Sequence, residues 1–379
     1  MKECDLVMKG GISSGIVYPK AVGILSKDYV FKNIGGASAG AIAAAFTAAA
    51  EYQRQNSNSK KGFKLLNKDL PEQIGNDLLS LFQPHEKHSK VFKILVDYIS
   101  RDKPNKFWFI TKNIFHLRKF YRLPETLLKT NFGLCSGLTN NHQSTKGLTD
   151  WLNYWLEKTA GRLNHGKLPD RPLTFGDLKA QGIKLKVITT NVSTQQSTPL
   201  PFLISCHAKL KDLKNLLPSN LVKYLVNQHN STSNQTIFND DYLVRIPKGD
   251  EMPVLMAVRM SLSFPVLLAA FPIYQVDRSR RLLDDDDYKV PRLCWYSDGG
   301  ITSNFPIHLF DNMFPSRPTF GISLDKYHEH RQESDEDNKM SVPGKNRVYL
   351  PTNANQGKTI PINTIKSFSS FLGSIFSLS

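Results

Sequence analysis

The pentapeptide Gly36-Ala37-Ser38-Ala39-Gly40 constrains this chain more than any other feature. Gly35 and Ala41 flank it, so one serine sits among six tiny residues. Before it, Tyr29-Val30-Phe31-Lys32-Asn33-Ile34 reads as a strand, and after it residues 41–52 are alanine-rich and read as a helix. A tight strand-to-helix turn brings the two backbones together, which only tiny side chains allow. It also holds the central serine in strained geometry with its hydroxyl projecting outward. A serine hydroxyl is a weak nucleophile until a base and oxyanion donors reach it, and the positive end of the following helix favours developing negative charge. Ser38 is therefore a candidate nucleophile in an elbow built by Gly36, Ala37, Ala39 and Gly40. The bland alternatives are a glycine-rich turn and a phosphate-cradling loop.

The elbow lies early in a recognisable order of elements. Asp5-Leu6-Val7-Met8 is a short apolar strand leading into Lys9-Gly10-Gly11-Ile12-Ser13-Ser14-Gly15. Ile16, Val17, Ala21, Val22 and Leu25 then fall at helical spacing. Strand, glycine loop, helix, strand, turn, helix is the opening of an α/β layered fold. The loop lacks the dinucleotide-binding spacing, because Ile12 holds the middle glycine position. Its backbone N–H groups are instead expected to point toward Ser38. Further along, residues 148–156 read as a helix, and residues 183–191, 293–297 and 319–324 as strands. The strand 293–297 runs into Asp298-Gly299-Gly300, where an aspartate held by small residues can accept a hydrogen bond from a serine.

Charge and composition set the outer limits. The chain has 379 residues, 40% apolar and 22% charged, which suits a large buried core. A net charge of +16 favours an anionic partner. Between residues 84 and 130, eleven Lys/Arg face four Asp/Glu, with aromatics at Phe107, Trp108, Phe109, Phe115, Phe120 and Tyr121. This basic stretch, about 53–130, reads as a helical insertion. Cys4, Cys135, Cys206 and Cys294 are too sparse for a disulfide scaffold and lack zinc spacing, so reduced thiols and a cytoplasmic setting are expected. The first residues carry no apolar run of signal-peptide length. The most apolar stretch, 254–273, is broken by Arg259 and Pro272 and reads as buried helix and loop rather than a membrane span. Residues 329–338 read as a charged linker, and 360–378 as an amphipathic segment. The four carboxylates Asp284 to Asp287 lack calcium-loop spacing, and neither metal nor cofactor is implied.

Taken in order, KGGISSG, GASAG and SDGG resemble the patatin-like phospholipases, as do Met260-Ser261-Leu262-Ser263-Phe264-Pro265 and Gly137-Leu138. The likeness covers roughly residues 5–326. It implies a three-layer α/β/α fold with a central, mostly parallel sheet, a catalytic domain over residues 1–328, and a charged linker with amphipathic tail over 329–379. It also implies a Ser–Asp dyad without histidine: Ser38 as nucleophile, Asp298 as base, and Gly10, Gly11 and Ile12 as oxyanion donors. Gly15, Gly299 and Gly300 support the motifs. Lys9, Ile12 and Ser14 stand where the family commonly has Asp, Gly and Arg/Lys, and backbone N–H donors survive those changes. The implied substrate is a phospholipid or other lipid ester, met at an anionic membrane surface by a cytoplasmic, peripheral protein.

Two other readings stand beside this one. A Ser–Asp–His triad hydrolase would need a base such as His308, His328 or His330, yet several strands precede the elbow in that fold and here only one does. A non-enzymatic nucleic-acid or membrane binder would use the mixed basic and aromatic stretch, with a lipid surface favoured over nucleic acid.

Overall fold

The computed structural model describes residues 1–11, 15, 17–99, 123–141, 143–232, 236–238, 241–277 and 291–324. Strand β1 (Lys2–Met8) lies parallel to β2 (Tyr29–Ala37), joined through helix α1 (Tyr18–Leu25). The glycines at 35 and 36 continue the strand rather than starting the turn, pairing with Val7 and Met8 on one side and Lys186 and Val187 on the other. The turn is thus reduced to Ser38 alone. Helix α2 (Ala39–Ser57) follows at once.

Alanine at eight of its positions gives α2 high intrinsic propensity and a thin profile. Gly40 sits so close to β1 that a Cβ there would lie 2.2 Å from the Met8 carbonyl oxygen, and a Cβ on Gly36 would lie 2.3 Å from the Gly40 oxygen. Small residues here are a packing requirement. At its other end α2 is fastened electrostatically. Glu51, fully buried, accepts from the Phe31 N–H at 3.2 Å and pairs with Arg54. Arg54 also donates to the Ser26 and Tyr29 carbonyls at 2.8 Å each and lies over the Phe63 ring. Removing one partner of such a pair typically costs about 3–5 kcal/mol.

The remaining strands are β3 (Gly133–Cys135), β4 (Lys184–Asn191), β5 (Gln196–Leu200), β6 (Cys206–Lys209), β7 (Thr236–Phe238), β8 (Asp241–Ile246), β9 (Val266–Leu268), β10 (Phe271–Val276), β11 (Pro291–Ser297) and β12 (Thr319–Ile322). Ten of the described strands form one sheet in the order β12-β1-β2-β4-β11-β10-β6-β8-β7, with β5 on β4; β3 and β9 pair separately. The β12, β1, β2 and β4 ladders are parallel, and every ladder from β4 through β11 to β7 is antiparallel, as is β4 with β5. The sheet is therefore mixed, which corrects the expectation of a mostly parallel one. Short connections such as the one between β7 and β8 suit antiparallel neighbours, whereas parallel ones need a crossover.

Successive residues of a strand face opposite sides of a sheet. Gly36 faces α2, and Gly35 faces Leu309 and Phe310 of the Ile307–Phe310 turn, so helix, sheet and turn form three layers. The Leu148–Thr159 helix and the Val254–Ser261 helix pack on α2. The stretch 254–273 begins as the expected buried helix, but Phe271–Val276 is a strand between β11 and β6 rather than loop. Its pairing partners lie elsewhere in the chain, so no local periodicity announced it. Within 53–130, the described part is mostly helical, and Phe63, Leu66, Leu70 and Leu81 enter the main core while Lys61, Lys64 and Lys68 stay exposed. Trp108 and its aromatic neighbours, Asp284 to Asp287, and residues 329–379 fall outside the described residues.

Candidate active site

Ser38 occupies the junction between β2 and α2 with φ 55° and ψ −128°. Left-handed backbone at a serine costs roughly 1–3 kcal/mol, so the surroundings must hold it. They do so from both sides. The Ser38 N–H donates to Ser261 Oγ at 2.9 Å, and its carbonyl accepts from the Ala41 N–H at 2.9 Å. The hydroxyl then points at Asp298 and donates to Oδ2 at 2.7 Å.

Asp298 arrives from a distant part of the chain. β11 pairs antiparallel with the last residues of β4, Thr190 and Asn191. That pairing delivers Asp298 to the point where β2 ends. A Cβ on Gly299 would lie 2.0 Å from the Ile188 carbonyl oxygen, so this approach also needs a glycine. The Asp298 peptide is pinned throughout: its N–H donates to the Ser263 carbonyl at 3.0 Å, and its own carbonyl accepts from Thr190 Oγ1 at 2.7 Å. Gly299 N–H donates to the Ser261 carbonyl at 3.0 Å, and Gly300 N–H donates to Asp298 Oδ1 at 2.7 Å.

Asp298 is wholly buried. Burial pushes its carboxyl up to about 7, against the hydrogen bonds from Ser38 and Gly300 that favour the charged form. A carboxylate so placed is a stronger base than one in water. The serine and the carboxylate touch directly, leaving no place for an imidazole between them. His308 is exposed on the Ile307–Phe310 turn, and His328 and His330 lie outside the described residues.

The glycine loop divides by role. Gly10 approaches the site closely: a Cβ on it would lie 3.1 Å from Ser38 Cβ and 2.1 Å from Asn304 Oδ1. Its N–H, however, donates to the Asn304 carbonyl at 2.8 Å. Gly10 is thus corrected from oxyanion donor to spacer, because its one donor is already engaged. Gly11 has φ 125°, a conformation open to glycine. Ile12 falls outside the described residues. Gly15 meets nothing within 4 Å of a would-be Cβ, so close approach gives no reason for it.

Several residues that matter to this geometry carried no signal in the sequence alone. Thr190 and Asn304 sit in unremarkable contexts. Ser261 and Ser263 belong to a sequence motif that by itself assigns them no role. Both hydroxyls lie one turn or less from the end of the Val254–Ser261 helix, and only the folded chain shows that this helix end meets Ser38 and Asp298 together.

Comparisons with known proteins show which family the chain resembles. The family model described as patatin-like phospholipase matches residues 6–311. The RpoH suppressor of Rhizobium meliloti (strain 1021) is 31% identical over 458 aligned residues, covering 94% of this chain and 70% of that protein. Among solved structures, VipD from Legionella pneumophila aligns at 16% identity and a TM-score of 0.33, covering 85% of this chain and 49% of that one. That last likeness is too loose to carry weight. The family match spans the elbow, the glycine loop and the aspartate motif alike, and the chain belongs to the patatin-like phospholipase family.

Proposed function

We propose that this chain is a serine acyl hydrolase of the phospholipase A or lysophospholipase type, with Ser38 as nucleophile and Asp298 as its only base. The observation that carries the reading is the 2.7 Å hydrogen bond from Ser38 Oγ to a wholly buried carboxylate. Asp298 takes the Ser38 proton as Oγ attacks the ester carbonyl carbon. The oxyanion meets the Gly11 N–H and the Ala39 and Gly40 N–H groups at the start of α2, which have no partner within the helix. Collapse expels the alcohol, which takes the proton from Asp298. Water then attacks the acyl-enzyme, giving its proton to Asp298, and the fatty acid leaves as Ser38 is reprotonated.

The lipid interface is read as anionic, in keeping with the net charge of +16. Among the described residues no helix is long and apolar enough to cross a membrane. Residues 1–328 are read as the catalytic domain, with 53–130 as its basic insertion and 329–379 as a separate linker and tail. The decisive experiment is lipid mass spectrometry on vesicles of mixed phospholipid and lysophospholipid. Wild type releases free fatty acid; Ser38→Ala and Asp298→Asn, each purified and folded, lose roughly a thousandfold or more of that turnover. Substantial release by either variant would overturn the dyad.

A further inference from the structure

Arg259 is the largest fully buried side chain in the described structure, and neither substrate chemistry nor the dyad uses it. Burial draws its guanidinium down only to about 10, so it stays charged at neutral pH. Among the described residues no carboxylate forms an ion pair with it, and its Nε–H finds no acceptor. A charge buried in this way is unfavourable compared with an apolar side chain of similar volume. Its remaining donors show where it acts.

Nη1 donates to Ser263 Oγ at 2.7 Å, and Ser263 Oγ donates back to the Arg259 carbonyl at 3.1 Å. Nη2 donates to the Ser136 carbonyl at 2.9 Å and the Ala269 carbonyl at 3.0 Å. One planar guanidinium therefore joins the end of β3, the residue after β9 and the loop following the Val254–Ser261 helix. Ser263 is the critical link. With its hydroxyl locked by Arg259, its carbonyl accepts from both the Asp298 N–H at 3.0 Å and Ser297 Oγ at 2.7 Å. Two residues earlier, Ser261 holds the Ser38 N–H.

We infer that Arg259 is a positioning residue: acting through Ser263, it fixes the Asp298 peptide and so sets the distance between Asp298 and Ser38. This rests on the dyad reading above. The geometry suits arginine specifically, because a flat fork can serve three separate acceptors at once and an ammonium cannot hold the same directions. Misplacing a catalytic group by about 1 Å through a change away from the chemistry can cost on the order of a hundredfold in rate.

The test measures how fast a soluble fluorophosphonate labels Ser38 in the full chain, with kcat and KM on a monomeric ester, at a temperature well below unfolding. Ser263→Ala removes the hydroxyl that Arg259 holds, and Ser263→Thr keeps it. The expected result is a labelling rate and kcat roughly 10- to 100-fold lower in Ser263→Ala, with KM unchanged and the rate largely restored in Ser263→Thr. Arg259→Lys shows the same kcat-selective loss, and the double variant Arg259→Lys/Ser263→Ala is no slower than the slower single, since both break one link. Should Arg259→Lys fail to fold, the Ser263 pair still decides. Wild-type labelling in folded Ser263→Ala, or a loss confined to thermal stability, would overturn the positioning role. A wild-type chain that neither labels nor hydrolyses ester, unlike labelled wild type with indifferent variants, would bring down the hydrolase reading as well.

Discussion

The parallel and antiparallel halves of the sheet contribute one residue each to the site, and they do so by different physics. Ser38 follows β2 in the parallel half, and Asp298 follows β11 in the antiparallel half. The serine side is local: strand, turn and helix are contiguous, and close backbone approach at Gly36 and Gly40 shapes the elbow. The aspartate side is wholly non-local. Its position depends on β11 pairing with β4, on the Ser263 and Ser261 carbonyls that accept from the 298 and 299 N–H groups, and on Thr190, which donates to the Asp298 carbonyl. A local device can be specified by a short motif. A seam between two half-sheets has to be specified by the rest of the fold.

The largest expected effects come from adding one methyl group on either side of the seam. Gly40→Ala drives a Cβ into the Met8 carbonyl, and Gly299→Ala drives one into the Ile188 carbonyl. Gly40→Ala should cost more than about 4 kcal/mol and abolish cooperative unfolding, because helix and strand must separate. Gly299→Ala should leave the parallel half folded but lose activity. Near-native melting of Gly40→Ala in calorimetry would remove the distinction between a rigid elbow and a yielding seam.

Next in size is the pH dependence of Asp298. Its carboxyl is raised to about 7 in the fold, above an unfolded value near 3.9. The base must be ionised, so kcat/KM on a soluble ester should rise with pH and level off above about 7. Stability runs the other way. Between about 4 and 7 the native state holds a proton that the unfolded state has released, so this group's contribution to stability falls as pH rises. Asp298→Asn should therefore be more stable than wild type at about pH 8, by roughly 1–4 kcal/mol, with the gap closing toward about pH 5. An unchanged gap across that range would show that Asp298 titrates elsewhere.

The smallest effects compare the two backbone anchors. Ser261→Ala leaves the buried Ser38 N–H without its acceptor, and Thr190→Val leaves the Asp298 carbonyl without its donor. Each should cost about 1–3 kcal/mol in denaturant titration. Ser261→Ala should slow Ser38 labelling more than Thr190→Val does, because it releases the strained residue itself. Equal slowing by both would mean that the two halves are held as one unit.

Much of the parallel half was legible in the sequence. β1, β2 and β4 and helix α2 follow from apolar runs, alanine content and tiny residues, with bounds off by only a few positions. The antiparallel half was mostly hidden. β6 and β7 are short, and the stability of these strands and of β10 comes from neighbours in space rather than from alternation along the chain. The same difference applies inside the site. Ser38, Asp298, Gly36 and Gly40 sit in compact motifs, whereas Thr190, Asn304 and Arg259 acquire meaning only from what they touch.

The sequence by itself determined the elbow, because a strand and a helix joined by one serine among tiny residues leave the backbone few ways to turn. It also pointed to Asp298 as the partner of that serine. The tertiary structure decided that the two touch at 2.7 Å, that burial raises the Asp298 carboxyl to about 7, and that the Gly10 N–H is held by the Asn304 carbonyl. Those outcomes depend on desolvation and on the meeting of residues some 260 positions apart, which no local pattern encodes.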